Sequence, residues 1–380
     1  MSRNGTDGSD GDSPCSRSIR DRRTFLSGAA AGATMGLAGC LTGNGGSNGD
    51  GDGEFAGETL EVMIWSGNYA DRFEENIKPL YEERTGTQLV VQRGWDEILS
   101  EIRAAPEDNP PYDVTITEGW FYHVGRQDDL FEPIRTENVP NLDQVMDYYR
   151  DFRPTEHGVP VDGAPTTLIY RDDLDFDPES WTDFASEAAT DTAGVGIDAG
   201  FWVFPMHAAA IGTGDHGAGE LYDESTHDDV RGTLDSWPIE GWATSGEDIW
   251  QLFEAGVIDM AQWYFEQTHY DVQDIDGLSH FAPEDNTGFV NHWCVVRGTD
   301  RRDHAEHFLN FLLDAEVQNE WSQHNPGLFC NADIEYATDE LQAQLPATNE
   351  EARNIAFPDW EYVLEYQDEF SEFFQELQTS

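Results

Sequence analysis

The side chains best suited to chemistry are four cysteines, eleven histidines and a large excess of carboxylates. Their spacing forms no catalytic signature. There is no G-x-S-x-G, P-loop, H-E-x-x-H or C-x-x-C, and no G-x-G-x-x-G follows a strand. His304 and His307 stand three apart on one helix, but Asp303 and Glu306 flank them on what the pattern makes a wet face. Asp172-Asp173 and Asp228-Asp229 could serve acid–base work. With 76 Asp and Glu among 380 residues, however, such neighbours arise by chance. The chain therefore offers no catalytic set, no metal set and no cofactor motif, and the expectation is a protein that is not an enzyme.

The cysteines separate by neighbourhood. Asp21-Arg22-Arg23-Thr24-Phe25-Leu26 opens an uncharged stretch, rich in Ala and Gly, that ends at Leu37-Ala38-Gly39-Cys40. A charged region, a short apolar region and small residues at a cut site make a secretory signal rather than a membrane span. The Arg22-Arg23 pair gives it the twin-arginine form. Cys40 supplies the thiol that a lipid would alkylate, and 41–57 is a Gly-rich tether. Export into an oxidising space leaves Cys294 and Cys330 open to two readings, a disulfide or two buried thiols.

The elements that must position any site follow from periodicity. Strands are expected at 58–65, 88–92 and 113–117, with helices at 71–84 and around Trp95, Ile98, Leu99 and Ile102. Strand–helix alternation implies parallel pairing with right-handed crossovers. Ligands of such sheets sit at the carboxyl ends of the strands. That singles out the loops at 66–69 and 118–121. Further strands are expected at 165–171, 257–264 and 288–297, and helices at 181–189, 247–254, 304–323 and 360–377.

Composition excludes whole classes. The formal charge is −56, with 19 Arg and a single lysine, Lys78. A field of that sign rules out nucleic-acid binding through a basic face. With 12 Trp, 13 Tyr and 21 Phe the chain is no disordered acidic tail. Mean hydropathy of −0.59 and the lack of a long apolar run rule out a bundle of membrane helices. Acids spread along the whole chain indicate a hydrated surface adapted to high salt.

Several segments resemble the extracellular solute-binding lipoproteins of ABC importers, nearest the spermidine/putrescine-binding branch. Trp65-Ser66-Gly67-Asn68-Tyr69 is similar to that branch's W-x-x-Y loop with one extra residue. Tyr112 to Thr117 followed by Trp120-Phe121 matches its strand with an aromatic pair, and Ser180-Trp181-Thr182-Asp183-Phe184 its S-W-x-D-L. The run His307 to Gln318 (HFLNFLLDAEVQ) is the most specific piece. The resemblance implies an α/β fold of the periplasmic-binding-protein type. It has two lobes, each a mixed, mostly parallel sheet flanked by helices, joined by a two-strand hinge. The implied division is 1–39 signal, 40–57 tether, 58–161 with 289–334 as lobe 1, and 162–288 with 335–380 as lobe 2. Ligand contacts are then expected at Trp65, Asn68, Tyr69, Glu118, Trp120, Phe121, Asp198, Trp202, Trp263, Tyr264, His292 and Trp293. His292 stands where the branch has an acid, and Trp202 near a second acid position, so fewer carboxylates are expected than a polyamine site uses. The implied protein is a salt-adapted, haloarchaeal-type monomer, lipid-anchored through Cys40 outside the cytoplasmic membrane. It would hand a small organic solute to a permease driven by a cytoplasmic ATPase. A secreted hydrolase with an unrecognised site and a surface adhesion or scaffold module stay open as alternatives.

Overall fold

A computed structural model describes residues 53–379 except 187, 188 and 190–193. Arg22, Arg23 and Cys40 lie outside the described residues. Packing already begins within the expected tether, because Phe55 stacks on His304 with ring centroids 4.3 Å apart. His304, expected on a wet face, is thereby buried, 1% exposed.

The first sheet grows from β1 (Thr59–Trp65), β2 (Gln88–Gly94) and β3 (Val114–Thr117), with β1 central and parallel to both neighbours. Such strands are covered by helices on both faces, which explains why the second half of β1 (VMIW) is an unbroken buried run. Between β1 and β2, the expected helix runs as Asn68–Arg72, a π turn Phe73–Ile77, and Lys78–Thr85. Gly86 ends it in the left-handed conformation.

Two long strands connect the halves. β4 (Val159–Arg171) pairs antiparallel with β9 (Asn286–Val295) over its first half. Over its second half it pairs with β7 (Met260–Tyr264) and β8 (Leu278–Phe281). β5 (Val195–Asp198) and β6 (Ile239–Ala243) complete the second sheet in parallel with β7. The strand order is β2-β1-β3-β9-β4-β7-β5-β6, two parallel triplets joined through the antiparallel β9–β4 pair. The register of that pair shifts between Pro160 and Asp162, the mark of a β-bulge. Next to the bulge, a Cβ on Gly163 would lie 2.0 Å from the Phe289 carbonyl oxygen, so the strands approach there only because the residue is glycine.

Val159 and Val161 belong to the first core, whereas Leu168 and Ile169 lie in those of the second sheet. The segment 335–357, expected with lobe 2, packs into the first core through Tyr336, Leu341, Leu345, Ile355 and Phe357. The last two helices, Trp360–Glu365 and Gln367–Thr379, pack on the second half, where Phe370 and Phe374 are buried. The expected helix 304–323 is two helices, Arg302–Leu312 and Ala315–Ser322. Asp314 breaks it by accepting from the Glu316 and Val317 amides as an N-cap.

Of the two readings open for Cys294 and Cys330, the structure has two buried free thiols. Cys294 lies on β9, and Cys330 follows β10 (Leu328–Phe329) on the opposite edge of β4. With one strand between them and an offset along it, the Cα atoms are at least about 9–10 Å apart, beyond the roughly 7 Å limit of a disulfide. Cys294 Sγ instead lies 3.6 Å from the Thr117 hydroxyl.

Candidate ligand-binding cleft

The carboxyl ends of β1, β3 and β7 converge on one cavity of about 660 Å³, lined from both halves of the molecule. Its first wall is the loop after β1. Gly67 there has φ +82°, a backbone open only to glycine, and it turns the chain so that Trp65, Asn68 and Tyr69 all line the cavity. Trp95, expected on the core face of a helix, is 49% exposed and stacks on Trp65 with centroids 5.2 Å apart and planes 14° from parallel. The floor is a hydrogen-bond relay. Trp65 Nε1 donates to Asn291 Oδ1 (3.1 Å), Asn291 Nδ2 donates to Asp162 Oδ2 (3.3 Å), and the Tyr69 hydroxyl donates to the same oxygen (3.0 Å). Asp162 is fully buried, and burial pushes its carboxyl up to about 7.

The second wall comes from the far half. Asp198 accepts from the Tyr264 hydroxyl (2.5 Å) and from the Gly200 and Phe201 amides (2.7 and 3.2 Å). It therefore acts through Tyr264 and Phe201, which line the cavity with Phe204 and Phe289, rather than by lining it itself. Burial raises the Asp198 carboxyl to about 6.

Carboxylates are more plentiful than the sequence led one to expect. Glu118, Glu247, Glu266 and Asp271 line the cavity beside a single cation, Arg72. Glu118 caps the helix Gly119–Gln127 by accepting from the Trp120 amide (3.2 Å), while its other oxygen is buried without a partner. Burial raises its pKa, and the buried Arg153 guanidinium offsets part of that rise. Glu266 goes up to about 7 through burial, although Arg72 lies 3.6 Å away. Arg72 also donates to Asn325 Oδ1 (3.0 Å) and stands over the Tyr270 ring.

Of the expected contacts, Trp65, Asn68, Tyr69, Glu118, Phe121 and Tyr264 meet in this cavity. Trp120 and Trp202 line a separate cavity of about 330 Å³ beside Trp360. Trp263 is buried and donates to Gln267 Oε1 (2.8 Å). His292 and Trp293 are corrected outright, both being fully buried. His292 stacks on Tyr122 at 4.4 Å, and burial holds its imidazole far below its usual range, so it is neutral core. The reason is strand alternation. Phe289 and Asn291, two apart on β9, line the cavity, and a step of one residue moves a side chain to the other face. Trp293 shares the face of Asn291 but lies past the cavity, against Phe73 and Trp321. The residues that sequence reasoning missed include Arg72, Trp95, Phe204, Glu247, Glu266, Phe289 and Asn291, which come from six separate segments.

The fold is that of solved substrate-binding proteins. The chain superposes on an ABC transporter substrate-binding protein from Bradyrhizobium japonicum with a TM-score of 0.72 at 18% identity, covering 83% of this chain and 99% of that one. An ABC transporter structure from Clostridium perfringens gives 0.68 at 17%, covering 84% and 99%. The spermidine/putrescine ABC transporter substrate-binding protein from Streptococcus pneumoniae gives 0.65 at 14%, covering 85% and 99%. Among curated proteins none matches in sequence. The family model for bacterial extracellular solute-binding proteins matches residues 69–347. With that match across most of its length and this cleft between its sheets, the chain belongs to the bacterial extracellular solute-binding proteins.

Proposed function

We propose that the protein captures a small organic cation of the polyamine class in this cleft and delivers it to an ABC permease. The observation that carries the reading is the pairing of an aromatic wall with buried carboxylates short of positive charge. Trp65, Trp95 and Tyr264 offer ring faces, on which an ammonium group gains about 0.5–2 kcal/mol each. Glu118 and Glu266, both raised by burial, are stabilised in their ionised form by an arriving cation. Capture proceeds by closure of the two halves about the β4–β9 pair. The twin-arginine signal Arg22-Arg23 directs export and the lipid on Cys40 holds the monomer outside the cytoplasmic membrane, where a permease driven by a cytoplasmic ATPase receives the loaded form. The acidic surface suits a salt-rich habitat. A zwitterion is the second reading, favoured by Arg72, the one cation lining the cavity.

The test is a panel of polyamines, amino acids and oligosaccharides titrated at molar salt, read by thermal midpoint. Linear di- and triamines are expected to raise it in a saturable way. A response confined to amino acids would select the zwitterion, and no response to any solute would overturn the binding assignment.

A further inference from the structure

Outside the cleft, His269, His280 and Glu340 form a cluster whose ligating atoms all lie within 4.8 Å of one another. Three elements supply them: the helix Phe265–Asp271, the strand β8, and the helix Asp339–Gln344. The two rings face each other through His269 Nδ1 and His280 Nε2, 3.3 Å apart. Two nitrogens bound at about 2.0–2.1 Å to one tetrahedral zinc span an edge of about 3.4 Å.

A second contact fixes which nitrogen of His280 carries its proton. The Thr167 hydroxyl on β4 donates to the Phe281 carbonyl (2.8 Å), so it can only accept from His280 Nδ1, 3.2 Å away. His280 Nε2 is then left with a lone pair aimed at His269. An outer hydrogen bond that sets the tautomer is the usual support of a metal-bound histidine. Phe265 stacks on the His269 ring at 5.5 Å and also packs against His280, which limits rotation of both. Glu340 is exposed.

We propose that His269, His280 and Glu340 bind one divalent ion of the zinc type, with water in the fourth position. Mixed imidazole and carboxylate donors suit zinc and its first-row neighbours rather than calcium or magnesium. The position gives the ion a mechanical role. Glu340 stands next to Leu341, which is buried in the first core, while β8 hydrogen-bonds to the second half of β4. The helix that carries His269 also presents Glu266, Gln267 and Asp271 to the cleft. The ion therefore ties a helix of the first core to the second sheet and steadies one wall of the cleft.

The test is a titration of the full chain, stripped of metal, with zinc chloride in molar KCl and excess magnesium to saturate surface carboxylates. One zinc per chain and a raised thermal midpoint are expected, with zinc affinity at least tenfold weaker in Glu340→Gln and lost in His280→Gln. Cobalt(II) should give a d–d spectrum without a thiolate charge-transfer band. Should His280→Gln melt early without metal, Glu340→Gln at its exposed position decides. Absence of a saturable site, variants that bind like the wild type, or a thiolate band would overturn the proposal. None of these readouts involves the transported solute, so they stand or fall apart from the proposed function.

Discussion

Trp95 and Glu118 carry most of the reasoning at the scale of single residues. Trp95 is half exposed and touches the cleft through its stack on Trp65. Trp95→Ala is therefore expected to weaken binding of a diamine about 5- to 30-fold, the worth of one or two ring contacts, while the melting temperature stays within about 1 °C. Equal affinity in the variant would remove Trp95 from the site. Glu118 offers a buried oxygen without a protein partner. Charge-assisted pairing at such a group is worth roughly 1.5–3 kcal/mol, so Glu118→Gln should cost about 10- to 100-fold in affinity by equilibrium dialysis, and no loss would show that the cation sits elsewhere. The W-x-x-Y-like loop was legible in the sequence because β1 and the glycine that ends it are local features. Trp95 was not, since its spacing fits the core face of a helix whose exposed start only tertiary packing decides. Nor was the acid supply, because Glu266 and Glu247 reach the cleft from segments that meet only when the second sheet forms.

Elements explain where the cleft lies and how it is held. The strand–helix alternation at the start of the chain predicts the parallel triplet β2-β1-β3, and the structure forms it. The crossing of β4 and β9 was less legible. Its register depends on a bulge and on close approach at Gly163, neither visible as a pattern, which is why the contact expected at His292 falls on its neighbour Asn291. Asp162 sits at this bulge under the cleft. Its folded pKa, about 7, lies above that of the unfolded chain because burial disfavours the charge. The folded state thus holds a proton that the unfolded state has released, and stability falls as pH rises from the usual carboxylate range through about 7. In Asp162→Asn this contribution is absent. Urea unfolding at a series of pH values should show the wild type losing stability relative to Asp162→Asn between pH 5 and 8, and a constant difference would contradict the burial argument.

At the scale of the whole molecule, charge acts in two ways. The −56 formal charge is spread over the surface, where self-repulsion is screened within about 10 Å at 0.1 M salt and about 3 Å at 1 M. The unfolding midpoint should therefore climb steeply as KCl rises from the first concentration to the second, and a flat response would mean that the acidity has little to do with stability. Inside the cleft the same sign of charge has a local task, since four carboxylates face one arginine. The reading that the site was poor in acids followed from the family's linear motif, whereas the acids here come from the helix after β7 and from the start of another helix. Calorimetric titration of putrescine into the full chain tests the central claim most directly. It is run at pH 7 and molar salt in two buffers of different ionisation enthalpy. Because burial holds Glu266 near 7 and raises Glu118 in the empty cleft, cation binding should be saturable, one per chain, and accompanied by proton release. No binding, or binding without proton release, would contradict a cleft built for an organic cation.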